Sequence, residues 1–199
     1  MPIRSRTRRE RYDIKKKNAT VYPISLCCIN FQHDGNLGYL IRSAACFGAE
    51  LVHVIGSVPP RSVLNPTSGS LHDYVSIKQH SSPKDFLQHV FKENIQLVSA
   101  EIAEDAKSIL SYRFNFSRNI CLVVGNEESG VPVEILNNSE TIYIPMPGIG
   151  FCLNTSQTAN IVLYEAVKQH HDTSHRSSTA EHRSCKAGVK GSNPFDGSI

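Results

Sequence analysis

Asn36, Glu127, Asn154 and Ser156 stand where apolar runs give way to glycine-bearing turns or to the start of a helix, and Arg42 lies within the helix that follows Asn36. They fall in three segments: NLGYLIRSAACFGA, LVVGNEESGVP and IYIPMPGIGFCLNTSQTA. An amide, a guanidinium and a carboxylate gathered in one site can orient a hydroxyl and stabilise charge that develops on it. Arginine keeps its proton to above about pH 12, so Arg42 suits gripping phosphate or polarising an oxygen better than acting as a free base. Each residue also has a plain structural reading. At ~100° per residue, Arg42 lies roughly 130° from the centre of its helix's apolar stripe and can be an ordinary solvated arginine. Asn36 and Asn154 suit helix caps, and Glu127 and its neighbour Glu128 can be surface loop acids.

The elements that must carry these residues alternate. Val21 to Ile29 reads as a buried strand, and Leu37, Leu40, Ile41, Ala44 and Ala45 then recur at helical spacing up to a capping Gly48. Leu51 to Ile55 is a strand, Ser57 to Ser70 a long polar loop with three prolines, and Ser82-Pro83 opens a helix to about Glu93. Strands follow at Ile95 to Ala100, Ile120 to Val124 and Thr141 to Ile144, with short helices at Asp105 to Leu110 and near Pro132. A last helix carries the stripe Ala159, Val162, Leu163, Ala166, Val167. Alternation of this kind predicts an α/β domain with a mainly parallel sheet covered on both faces. No G-x-G-x-x-G follows the first strand, which argues against an ordinary dinucleotide-binding domain.

The 199 residues, 40% hydrophobic, suffice for one domain over residues 21–170. No apolar run is long enough to span a bilayer, so a membrane partner is not expected. Six cysteines without C-x-x-C spacing predict reduced thiols in the cytoplasm, and of the nine histidines the five at His33, His53, His72, His80 and His89 are scattered and offer no metal-ligand pattern. Charge is uneven. Residues 1–20 hold eight basic and two acidic residues, a net +6 within a chain of +3. Arg8, Arg9, Arg11, Lys15 and Lys16 therefore read as a flexible arm for a polyanion, or as a solvated tail. Arg61, in the long loop, is a further candidate for phosphate contact. Residues 171–199 are polar and read as a disordered tail.

In order and spacing the three segments resemble the signature motifs of the SpoU/TrmH family of SPOUT methyltransferases. The resemblance implies a C-terminal trefoil knot, a homodimer, S-adenosylmethionine as cofactor, and methyl transfer to ribose 2′-hydroxyls in RNA, tRNA first and rRNA next. It places Arg42 near the target ribose, in a site completed by the other subunit, with Asn36 orienting either Arg42 or Glu127. It also implies backbone contact to the cofactor at Gly125, cofactor contact at Ile144, Met146, Gly148 and Leu153, and places Asn154 and Ser156 near the reaction centre, Ser156 toward the RNA. One residue departs from the pattern: the family usually has serine before Leu-Asn, and this chain has Cys152, a weaker donor. The alternative is a non-catalytic RNA-binding or assembly protein of the same fold.

Overall fold

The computed structural model describes residues 7–187, with side chains over residues 7–174. Its strands are β1 (Tyr22–Ile29), β2 (Ala49–Ile55), β3 (Ser76–His80), β4 (Gln96–Ala100), β5 (Lys107–Ser108), β6 (Ile120–Val124) and β7 (Glu140–Tyr143). They form one sheet in the order β3-β2-β1-β6-β4-β7-β5, and every pairing among the described residues is parallel. The helices are α1 (Arg8–Lys16), α2 (Asp34–Phe47), α3 (Arg61–Ser68), α4 (Pro83–Lys92), α5 (Val133–Leu136) and α6 (Thr155–Ala187).

Side chains of a strand alternate between faces, so the apolar run of β1 feeds two cores. Ile24, Leu26 and Cys28 pack with Leu37, Leu40, Ile41 and Ala44 of α2 and with Ala159, Val162, Leu163 and Ala166 of α6. Cys27 and Ile29 pack on the other face with Phe86, Leu87 and Val90 of α4 and Ile135 of α5. Both faces are thereby shielded, as a parallel sheet requires, and each fully buried Leu, Ile or Phe contributes on the order of 1.5–3 kcal/mol. The chain winds outward from β1 to β2 and β3, then crosses to β4 and β6 on the other side. This reversal sets the carboxyl ends of β1, β6 and β4 side by side, with Cys28 level with Val124 and Val124 level with Ala100. In open α/β sheets such a point is a ready crevice for ligands.

Several expectations are corrected. The presumed loop at 57–70 contains α3, which carries Pro66 within it and closes on Gly69 in the left-handed region. The segment from Asp105 holds a strand rather than a helix: β5 is only two residues long and joins the sheet edge beside β7. β3 was not anticipated. Its side chains are mostly exposed, as befits an edge strand, so no apolar pattern announces it. In the basic arm, residues 8–16 are helical, started by a capping box in which Thr7 and Glu10 bond each other's backbone N–H. α6 continues past residue 170 to Ala187, so much of the expected disordered tail is helical, while residues 188–199, like Arg4 and Arg6 of the arm, lie outside the described residues. Among the described residues no helix is long and apolar enough to cross a membrane.

Candidate active site

The loop after β1 meets the turn after β6 through one carboxylate. Glu127 accepts hydrogen bonds from Gln32 N (2.9 Å), His33 N (3.4 Å) and Asn36 Nδ2 (2.5 Å). These donors sit at the start of α2, whose N-cap residue His33 makes no side-chain cap. A helix N-terminus offers free N–H groups and a partial positive charge, and Glu127 meets both from outside the helix. Burial pushes the Glu127 carboxyl up, but the bonds from Gln32 and Asn36 outweigh it and hold the group below its usual range. Asn36 is not a cap. It is the third residue of α2, in the first turn, is buried, and accepts from Asn154 Nδ2 at 3.0 Å. Asn154 does cap its helix: its Oδ1 accepts from Ser156 N (2.9 Å) and Ser156 Oγ (2.6 Å). Glu127, Asn36, Asn154 and Ser156, drawn from all three segments, thus form one hydrogen-bonded chain.

The GNEESG turn is fixed by residues the sequence reading passed over. Asn126 Oδ1 accepts from Glu128 N and Ser129 N, its Nδ2 donates to Asn30 O, and its backbone pairs with Gly130 in both directions. Glycine-asparagine at a strand's end was the available signal, since asparagine side chains mimic backbone in turns. Gly125 is required by proximity, because a β-carbon there would overlap the Gly130 backbone. Thr155 Oγ1 donates to the Gly125 carbonyl at 3.0 Å and so ties this turn to the start of α6.

Beside this chain lies a cavity of about 630 Å³, lined by the ends of β4, β6 and β7, the GNEESG turn and the segment 144–155. Gly125, Ile144, Met146, Leu153 and Asn154 line it, together with Cys152. Gly148 does not. Nothing lies within 4 Å of where its β-carbon would be, and it projects with Ile149 and Phe151, which are 99% and 90% exposed. Ser156 is buried with its hydroxyl turned to Asn154, so it is not disposed to touch RNA. Glu101, one residue beyond β4, was missed. Its carboxylate lines the cavity and accepts from Val131 N (3.0 Å) and Ile102 N (2.9 Å). A charge immediately after an apolar strand was its only sequence signal.

Arg42 stands apart from this cluster. It is exposed on α2, its guanidinium lies against Gly69 at the end of α3, and it makes no hydrogen bond or ion pair among the described residues. Asn36 therefore serves Glu127 rather than Arg42. Arg61 is exposed and paired with Asp73 at 2.5 Å. The histidines are less scattered than the sequence suggests. His53 Nδ1 lies 3.0 Å from His80 Nε2 in a buried pair, and the His89 ring stacks near both.

The comparisons agree with this geometry. A tRNA (guanosine(18)-2′-O)-methyltransferase of Escherichia coli (strain K12) is 24% identical over 147 residues, covering 73% of this chain and 63% of that protein. The chain thus spans just under two thirds of that relative's length. A 23S rRNA (guanosine-2′-O-)-methyltransferase, RlmB, of Acinetobacter baylyi is 32% identical over 142 residues, covering 67% of this chain and 55% of the relative. Among solved structures, the A. aeolicus TrmH/SpoU tRNA modifying enzyme superposes with a TM-score of 0.72 at 21% identity, covering 85% of this chain and 87% of that one. The SpoU methyltransferase AviRb of Streptomyces viridochromogenes, in complex with the cofactor AdoMet, gives 0.66 at 25% identity over 76% of this chain and 60% of that one. The model of the SpoU rRNA Methylase family matches residues 23–164, most of the chain, and the chain belongs to that family.

Proposed function

We propose that this protein is an S-adenosylmethionine-dependent RNA 2′-O-ribose methyltransferase, acting on tRNA first and rRNA next, in the cytoplasm. The observation that carries the reading is the hydrogen-bonded chain Glu127–Asn36–Asn154, which joins three distant segments at the edge of one cavity. The cavity suits the cofactor in size, since ligand pockets run to roughly 300–1,000 Å³, and its wall is mixed: Ile142, Ile144 and Leu153 lie beside Glu101, Asn126, Glu127 and the backbone of Gly125. Gly125, Ile144, Met146 and Leu153 would hold the cofactor, which when bound supplies a methyl group on a sulfonium, open to attack by a hydroxyl oxygen. Asn36 and Asn154 keep the loop and the GNEESG turn in register. Arg42 grips the RNA backbone and its guanidinium stabilises negative charge on the ribose 2′-oxygen as the hydroxyl proton passes to solvent.

Arg42 lies outside the cluster of its own protomer, which supports a homodimer in which each subunit's arginine serves the other's cavity. The exposed side chains Tyr39 of α2 and Ile161 and Tyr164 of α6 offer an apolar face for that second copy. A C-terminal trefoil knot is part of the proposal. It is supported by the path of the chain, which goes from β6 past β4 to β7 and then returns over the sheet so that α6 packs against β6 and β1. Buried free thiols at Cys27, Cys28 and Cys121 fit a reducing compartment.

Arg42→Ala tests the assignment. Methyl transfer in a single turnover should fall by orders of magnitude, while cofactor affinity by calorimetry stays within a few-fold of wild type. Near-normal transfer would refute the role given to Arg42.

A further inference from the structure

We infer that α1 is a docked clamp for the RNA backbone aligned on Arg42, and that Tyr12 and Tyr74 are the positioning residues that fix it there. The inference rests on the RNA methylation proposed above. It starts from how little else holds α1 in place. The helix has nine residues and buries none of them, and a helix this short is marginal in water by itself. Its attachments are specific. Tyr12 Oη donates to Gly69 O at 3.2 Å, the Tyr12 and Tyr74 rings meet edge to face at 5.4 Å, and Tyr74 Oη donates to Asp13 at 2.7 Å. Lys16 Nζ lies over the Tyr74 ring, 5.6 Å from its centre.

The point of attachment matters because of what shares it. A β-carbon on Gly69 would stand 3.8 Å from the Tyr12 hydroxyl and 3.9 Å from the Arg42 guanidinium carbon. The anchor of α1 and the arginine assigned to the methyl acceptor thus converge on the same residue. On a helix, positions i±3 and i±4 share a face, so Arg8, Arg9, Lys15 and Lys16 flank Tyr12 on the side it turns toward Gly69. Arg9 is close enough to act on the Tyr74 hydroxyl, and the acidic Asp13 is tied to that hydroxyl. All four basic residues are exposed, and none forms an ion pair among the described residues.

A free basic arm and a docked basic helix behave differently. Either one adds phosphate contacts and salt dependence, but only the docked helix holds phosphates at a fixed distance from Arg42. Misplacing a substrate by about 1 Å can slow a reaction by some 10²-fold without weakening capture. The two tyrosines therefore govern the rate for bound RNA, while the lysines and arginines govern capture.

The experiment uses the full chain, a transcript that the wild-type protein methylates, and three variants: Tyr12→Ala, Tyr12→Phe and Lys15→Ala/Lys16→Ala. RNA affinity is measured against salt, and methyl transfer in single turnover at saturating RNA. The double lysine variant should flatten the log–log salt slope by about 0.7 to 0.9 per charge removed. Tyr12→Ala should leave the slope unchanged and slow transfer at least tenfold, with Tyr12→Phe, which keeps the ring, slowed less. Wild-type transfer by Tyr12→Ala, or a slope flattened as much as in the lysine variant, would overturn the inference. Absence of methyl transfer by the wild-type protein on any RNA would overturn the underlying reading, and this inference with it.

Discussion

Asn154 donates its side-chain amide to Asn36 at 3.0 Å across 118 residues of chain. Asn36 also holds Glu127, so a single amide couples the segment that lines the cavity to the turn after β6.

Replacing that amide should loosen both partners. Asn36→Ala removes one of the three bonds that Glu127 accepts, leaving those from Gln32 N and His33 N, and a bond to a charged group contributes about 1.5–3 kcal/mol. Melting should drop by several degrees and single-turnover transfer by at least tenfold. Asn36→Asp should melt lower still at pH 7, because a second carboxylate would face Glu127. Calorimetry orders the three proteins, and an Asn36→Asp variant as stable as wild type would count against the network.

The two glycines of the cofactor loops should differ. Gly125→Ala forces a side chain into the Gly130 backbone and should abolish cofactor binding, with a large loss of stability. Gly148→Ala meets nothing within 4 Å and should bind the cofactor within about twofold of wild type, since surface substitutions of this kind cost little. Equal losses at both positions, read by cofactor titration, would return Gly148 to the site.

Much of this architecture was legible because burial leaves a periodic trace. The β1 and β6 runs and the stripes of α2 and α6 are apolar at the spacing their faces require, and the ends of β1, β6 and α2 fell within a few residues of the expected ones, whereas α6 runs on to Ala187. α1, α3 and β3 lie at the surface, and their polar composition reads as loop or tail. The site was legible as residues but not as a network. Spacing along the chain cannot say that Asn36 turns to Glu127 rather than to Arg42, because their faces are set by tertiary packing. Glu101 and Asn126 act through backbone N–H groups and carbonyls that any residue supplies, so their partners left no mark in the sequence.

The buried histidines predict a pH dependence of stability. Burial pulls His53 down to about 3, with His80 adding to the effect, and burial also lowers His80 and His89. An unfolded histidine binds its proton near pH 6.5 and these resist it when folded. The His53 contribution is therefore present above pH 6.5 and lost as pH falls from there toward 3, at about 1.4 kcal/mol per pH unit, with His80 and His89 adding to the loss in the same direction. Urea unfolding between pH 7 and 5 should show this decline, and a His53→Leu/His80→Leu protein should show a flatter one. Identical slopes would refute the assignment.

Cys152, which stands where the resemblance implies a serine before Leu-Asn, is exposed and lines the cavity. Cys152→Ser should preserve or raise transfer, because a hydroxyl is the stronger donor, and Cys152→Ala should change it by no more than one neutral hydrogen bond, about 2- to 13-fold. A loss of orders of magnitude in Cys152→Ser, with cofactor affinity intact, would give the thiol a chemical role.

The central claim is that this protein moves a methyl group from S-adenosylmethionine to a ribose 2′-oxygen. It is tested most directly by incubating the protein with methyl-labelled cofactor and total RNA, then digesting the product with alkali. A 2′-O-methyl group blocks cleavage of the adjoining phosphodiester, so the label should survive in alkali-resistant dinucleotides and disappear when the mapped nucleotide carries a single 2′-deoxy substitution. Label in mononucleotides, or retained by the deoxy substrate, would place the methyl group on a base and contradict the account.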